Sequence, residues 1–319
     1  MHSHMHSHMH SLRMKNMRMR AILMLCGISV LWGSGWIFAP LLAEVASPYA
    51  AAALSAALAC VAMALLWTIL RLLTFTVRSV PLLLTLHLVL VMLGLPACLM
   101  IFAGRHGASA WEILLYAMLP LLVAMADQSW TTPMIAAVGA VLVLFGGEIP
   151  FTLRVMAWAL LGLAAVALQA YGLRLAARAL QGFGWTALTG SLALQLGVAA
   201  VLLACCSLLF DAAPRIAPLG QWTTTALGAL AWLALPGMAL TWMLFYRLLA
   251  HGPLTPVQVA VGQWMQTLLA VLESAILLHA RPSWQMLVAL AALAICAWMV
   301  LRPEQDSQPA SIVLRDTPR

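Results

Sequence analysis

Charge is what this sequence has least of. Asp, Glu, Lys and Arg make up 8% of its 319 residues, where a soluble domain carries about a quarter. Nine residues are acidic and they fall on separate stretches, so no carboxylate cluster is available for metal-assisted transfer. His-Glu-x-x-His, Gly-x-Ser-x-Gly and Gly-x-Gly-Asp motifs are missing, which removes the hydrolase classes built on them. No nucleotide-binding motif is present either. The six cysteines (Cys26, Cys60, Cys98, Cys205, Cys206, Cys296) lie in apolar runs without CxxC spacing. That placement favours small buried hydrophobes over disulfides or metal ligands. Long polar connectors are also lacking, which leaves no room for a separate soluble domain.

What is abundant is apolar sequence: 64% of the chain, with a mean hydropathy of +1.00. This balance points to the lipid bilayer as solvent and partner. The net charge of +7 comes from basic residues scattered singly near the ends of apolar runs. Such scatter sets topology, whereas a nucleic-acid surface would cluster its charges. The stretch Ala21 to Ala43 is uncharged, and as a helix it would measure ~34 Å against a hydrocarbon core of ~30 Å. At its centre stands Trp32-Gly33-Ser34-Gly35-Trp36, two glycines and a hydroxyl at the membrane midplane.

Apolar windows bounded by charge, Pro or Gly predict ten spans: 21–43, 49–71, 80–103, 108–126, 132–147, 155–173, 184–210, 223–249, 255–278 and 283–301. Residues 1–20 form a His/Met-rich and basic leader, and 302–319 a polar, proline-bearing tail expected to be disordered. The repeat MHSHMHSHMH offers imidazole and thioether groups that suit copper, nickel or zinc. The same repeat reads equally as flexible low-complexity sequence, and no metal or cofactor is assigned to it. With the N-terminus in the cytoplasm, twelve Lys/Arg fall inside, and four (Arg105, Arg154, Arg215, Arg281) fall outside. The bias favours cytoplasmic termini at both ends.

The two halves of the chain resemble each other. IFAGRHGASAWEILLYAMLP joins spans three and four; FYRLLAHGPLTPVQVAVGQWMQ joins spans eight and nine. Leu95-Pro96 and Leu235-Pro236 interrupt the helices before these joints. A repeat of five helices, 21–147 and 155–301, must insert its second copy upside down, and inverted repeats place a binding site at the midplane.

Leu31-Trp32-Gly33-Ser34-Gly35, followed by Ser47-Pro48 opening an alanine-rich second span, resembles the start of the drug/metabolite transporter superfamily, EamA type. The Gly107-to-Pro120 helix and the Pro133-to-Gly139 segment resemble the end of that family's first repeat. The resemblance covers about residues 21–301. It implies an all-α integral membrane protein with ten transmembrane helices in two inverted five-helix repeats. It also implies a secondary transporter, more an exporter than an importer, in the bacterial cytoplasmic membrane. Ser55 stands where the family often has Arg, and His279-Ala280 replaces a common Gly-Glu.

Ionisable side chains inside spans are costly, roughly 2.5–3.5 kcal/mol on insertion scales, and mark candidate sites. Here they are His87, Glu112 and Glu273. Glu273 shares a helical stripe with Gln258, Gly262 and Gln266, which would line a wet cavity. Its carboxylate is a candidate proton carrier, and proton coupling follows as an expectation. Alternatively, Glu112 and Glu273 lie far enough out to reach the headgroups, and His87 is a packed, hydrogen-bonded residue. Tyr116, Gln169, Ser191 and Gln195 add polar lining or interhelical glue. Trp32 and Trp36 are candidate cavity walls. The expected pathway therefore comprises Trp32, Gly33, Ser34, Gly35, Trp36, His87, Glu112, Tyr116, Gln169, Gln195, Gln258, Gln266 and Glu273, with no catalytic residue. The substrate class is small metabolites or drug-like molecules. An intramembrane enzyme and a non-transporting structural or signalling protein are the alternatives.

Overall fold

The computed structural model describes residues 2–74, 79–108, 115–116, 118–124, 152–212, 215–277, 279 and 284–302. The expected fifth span, residues 109–114 (including Glu112), 117 and 125–126 of the fourth, and the tail beyond Arg302 lie outside the described residues. What is described is almost entirely helical, with no strand beyond one bridge between Ala46 and Ile216.

Helix α1 (His2–Gly33) and helix α2 (Gly35–Ala43) form one rod, jointed at Ser34. The rod begins at His2 rather than Ala21; no Pro or Gly before Gly27 stops the first span from extending helix backwards through the leader. Next come α3 (Pro48–Thr74), α4 (Leu82–Leu88), α5 (Gly94–Ala103) and the short α6 (Leu119–Ala124). The second half contributes α7 (Leu153–Ala179), α8 (Trp185–Phe210), α9 (Thr224–Ala234), α10 (Thr241–His251), α11 (Pro256–Ala260), α12 (Gly262–Leu277) and α13 (Trp284–Leu301). Among the described residues, six stretches are long and apolar enough to cross a membrane: Met14–Ala43, Pro48–Thr74, Leu82–His106, Leu153–Ala179, Trp185–Phe210 and Thr224–His251.

Two of these rods carry a π-helical turn beside a proline. Val89–Leu93 precedes Pro96, and Leu235–Leu240 contains Pro236. Proline lacks the N–H that would bond one turn back, and a wider turn accommodates the gap.

Small residues bring the rods close. Among the described residues the most extensive helix pair is α3 with α8, which bury Ala53, Ala56 and Ala59 on one side and Ala193, Ala199 and Ala200 on the other. Helix α1 also crosses α12 closely. Ser29 Oγ donates to the Gly262 carbonyl at 3.1 Å. A Cβ on Gly33 would lie 3.1 Å from both the Ala270 nitrogen and the Gln266 oxygen. Without a hydrophobic drive between helices in lipid, such close backbone packing is a main source of association.

Polar contacts define two opposite faces. On one, Ser47 N donates to Arg215 O at 2.9 Å and Ala217 N to Val45 O at 2.8 Å. There Arg105 pairs with buried Asp211 at 2.5 Å, and Ser47 Oγ donates to the same carboxylate. On the other, Arg18 donates to the carbonyls of Leu301 and Arg302 at 3.0 and 2.8 Å. The start of the first span and the end of the last helix therefore share a face.

Candidate functional site

A cavity of about 690 Å³ occupies the middle of the bundle. Its deep end is aromatic, because α1 and α10 turn their tryptophans towards each other. The Trp32 ring lies 5.5 Å from that of Trp242 and 5.2 Å from that of Phe245, edge-on or tilted. Trp242 in turn rests against Tyr246. Amide and hydroxyl groups ring the wall: Gln263 and Gln266 from α12, Gln169 from α7, Ser55 from α3, and Tyr116. Towards the face that holds Ser47 and Asp211, the wall continues through Trp36, Ala39, Pro40, Ala43 and Pro48. The cavity thus runs from the bundle centre to that face.

Gly35 matters here because α2 restarts at it after the Ser34 joint, and its missing side chain leaves the wall open beside Trp36. Pro40 inside α2 removes another backbone donor. Together they let the upper part of the first span form one side of a cleft.

Of the residues expected from sequence, Trp32, Gly35, Trp36, Tyr116, Gln169 and Gln266 meet at this wall. Others lie elsewhere. Gly33 is buried against the α12 backbone. Ser34 accepts a hydrogen bond from Trp232 Nε1 at 2.7 Å and donates to Leu31 O at 2.8 Å, so it fastens the joint to α9. Gln195 is fully buried; it accepts from Tyr246 and donates to Ser191 Oγ at 3.1 Å, and Ser191 meets Thr85 at 3.0 Å. That chain ties α8 to α10 and α4.

The stripe expected along the ninth span is broken by the step from α11 to α12. Gln258 closes a capping box with Thr255 and donates to Val300 O at 3.0 Å, away from the cavity. Gly262 packs on Leu25. Glu273 sits two turns beyond Gln266, and its carboxylate oxygens are buried without a hydrogen-bond partner among the described residues. His87 is exposed on the outside of the bundle, 3.3 Å from the Tyr171 hydroxyl. Glu112 lies outside the described residues.

Sequence reasoning missed Gln263, Trp242, Gly237 and Met238. Gln263 carried a legible signal, an uncompensated amide three residues before Gln266. Trp242 carried none, since its approach to Trp32 depends on how α10 packs. Among the described residues no group of His, Cys, Asp and Glu could hold a metal ion.

No protein-family model matches the chain, and no curated protein matches it. It is similar to a solved structure described only as a crystal structure of a protein: TM-score 0.71 at 16% identity, covering 89% of this chain and 97% of that one. At that identity the likeness carries the fold alone.

Proposed function

We propose that this protein is a ten-span secondary transporter of small metabolites or drug-like molecules, of the drug/metabolite transporter type, working by alternating access. The observation that carries this reading is the central cavity. A volume of about 690 Å³ falls within the range of small-molecule sites, roughly 300–1,000 Å³. Its wall combines tryptophan faces with amide groups, and it opens towards one face of a bundle whose long helices match a bilayer. Such a cavity suits a solute that must enter from one side and be held at the midplane.

The packing of the described helices supports the inverted repeat. Exchanging the halves maps α3–α8 onto itself. It maps the α1–α12 pair onto α7–α6, the α5–α7 pair onto α10–α1, and the α4–α8 pair onto α9–α3; all these pairs are in contact. The proline-linked π turns fall in the third helix of each half. The face holding Arg18 and Arg302 is assigned to the cytoplasm by the Lys/Arg bias, in the inner membrane. With no nucleotide motif, the energy source is an ion gradient, a proton being the candidate, or the gradient of the substrate.

The test is resistance of an overexpressing strain to a panel of amino acids, analogues and toxic cations, followed by flux in vesicles. Ala39→Trp places an indole in the cavity mouth at an exposed wall position. It should abolish flux of the compound identified while leaving folded yield unchanged. Full flux in Ala39→Trp would remove the cavity from the pathway.

A further inference from the structure

A second, lateral cavity of about 650 Å³ lies between α3, α4 and α8, in the half of the bundle nearest Arg18 and Arg302. Its wall is nearly all apolar, with Cys60, Ala64, Leu194 and Val201 along its length. Leu194 and Val201 are exposed large hydrophobics. At the membrane-surface end, polar groups gather: Ser79, Thr186 and the ring of Trp67. Arg71 stacks over that ring at 5.4 Å, and Arg247 stacks over Trp185, next to Thr186, at 4.3 Å.

The opposite face shows what this corner lacks. There Arg105, near the end of the third crossing, sits over Tyr49 at the start of α3 at 5.9 Å, and Asp211 just past the end of α8 neutralises it. At the related corner Arg247, near the end of α10, sits over Trp185 at the start of α8, but the residue ending α3 is Thr74. Thr74 Oγ1 approaches Thr186 Oγ1 at 3.5 Å, and among the described residues no carboxylate pairs with an arginine at this corner. Arg105–Asp211 is the one carboxylate ion pair among the described residues, and the adjoining stretch 75–78 contains no acid.

We infer that the lateral groove with Arg71 and Arg247 at its mouth is a binding site for an anionic phospholipid. One acyl chain lies along the groove, and the phosphate supplies at this corner the negative charge that Asp211 supplies at the other. An apolar slot at hydrocarbon depth, ending in two arginines and hydroxyls at headgroup level, complements such a lipid in both shape and charge. Zwitterionic lipid offers the same chain without the net charge. The inference rests on the proposed orientation only for naming the leaflet.

The test uses purified full-length protein in detergent, titrated with phosphatidylglycerol or phosphatidylcholine of identical chains, with bound lipid counted by native mass spectrometry. The unaltered chain should retain phosphatidylglycerol preferentially. Each of Arg71→Gln and Arg247→Gln should lower that preference about fivefold. Arg20→Gln, an exposed basic residue elsewhere on the same face, should not. Thr74→Asp should abolish the preference by supplying the missing carboxylate from the protein. Val201→Trp should lower occupancy by both lipids. Equal retention of the two lipids by the unaltered chain would overturn the inference, as would a preference that survives loss of both arginines. Dimers abolished by Val201→Trp would also overturn it, by assigning the groove to a second copy. Because no flux is measured, failure here leaves the transport reading standing, and a chain without flux leaves this one standing.

Discussion

At Gly33 and Ser34, neighbouring residues have opposite sensitivities. Gly33 is pressed on the α12 backbone, where any side chain meets atoms that cannot rotate away. Overpacking of this kind typically costs about 1–3 kcal/mol. Gly33→Leu should therefore reduce folded yield and thermal stability in detergent, and any loss of flux would follow from misfolding. Ser34→Ala removes only the acceptor for Trp232 and the bond to Leu31. Interhelical hydrogen bonds in membranes average ~0.6 kcal/mol, so this variant should fold and keep most of its activity. Equal thermal stability of the two variants would refute the assignment of Gly33 to packing.

Among the elements, the joint between α3, α5 and α8 depends on one ion pair whose members differ in burial. The Asp211 side chain is fully buried, while that of Arg105 is 31% exposed. Removing the arginine strands a buried carboxylate, at a cost of roughly 3 kcal/mol. Removing the acid strands an arginine that can turn its head to water, at about 1 kcal/mol. Arg105→Gln should thus lower the melting temperature more than Asp211→Asn, and the double variant should recover part of the loss. The reverse order, measured by thermal unfolding in one detergent, would show that Arg105 is held by its ring contact with Tyr49 and not by the acid.

For the whole molecule, the contact of Arg18 with Leu301 and Arg302 requires both ends of the bundle on one side. Reporter fusions after Arg105, Arg215 and Arg319 should read outside, outside and inside; a C-terminal fusion on the outer side would contradict the proposed orientation. Deleting residues 2–11 spares Arg18 and should leave insertion and flux intact. Loss of flux restored by added copper, nickel or zinc would instead give the His/Met leader a metal-dependent role.

The sequence alone determined the helical, membrane-bound character of the chain, since apolar runs of bilayer length admit no other backbone arrangement than helix unless a barrel closes. It also marked the first span, the proline breaks and several wall residues, because polar or glycine positions inside an apolar helix stand out locally. Partnership was not legible. Trp32 meets Trp242 across more than two hundred residues, and nothing in either neighbourhood distinguishes a cavity wall from a packed core. Gly33 and Gly35 read alike as sequence, yet the crossing of α1 over α12 buries the first and leaves the second on the cavity. Gln258 and Gln266 fall on one ideal helical stripe, but the step at Val261 sends one to a cap and the other to the site. Helix periodicity assigns a residue to a face; only the packed bundle decides whether that face meets backbone, lipid or an empty space.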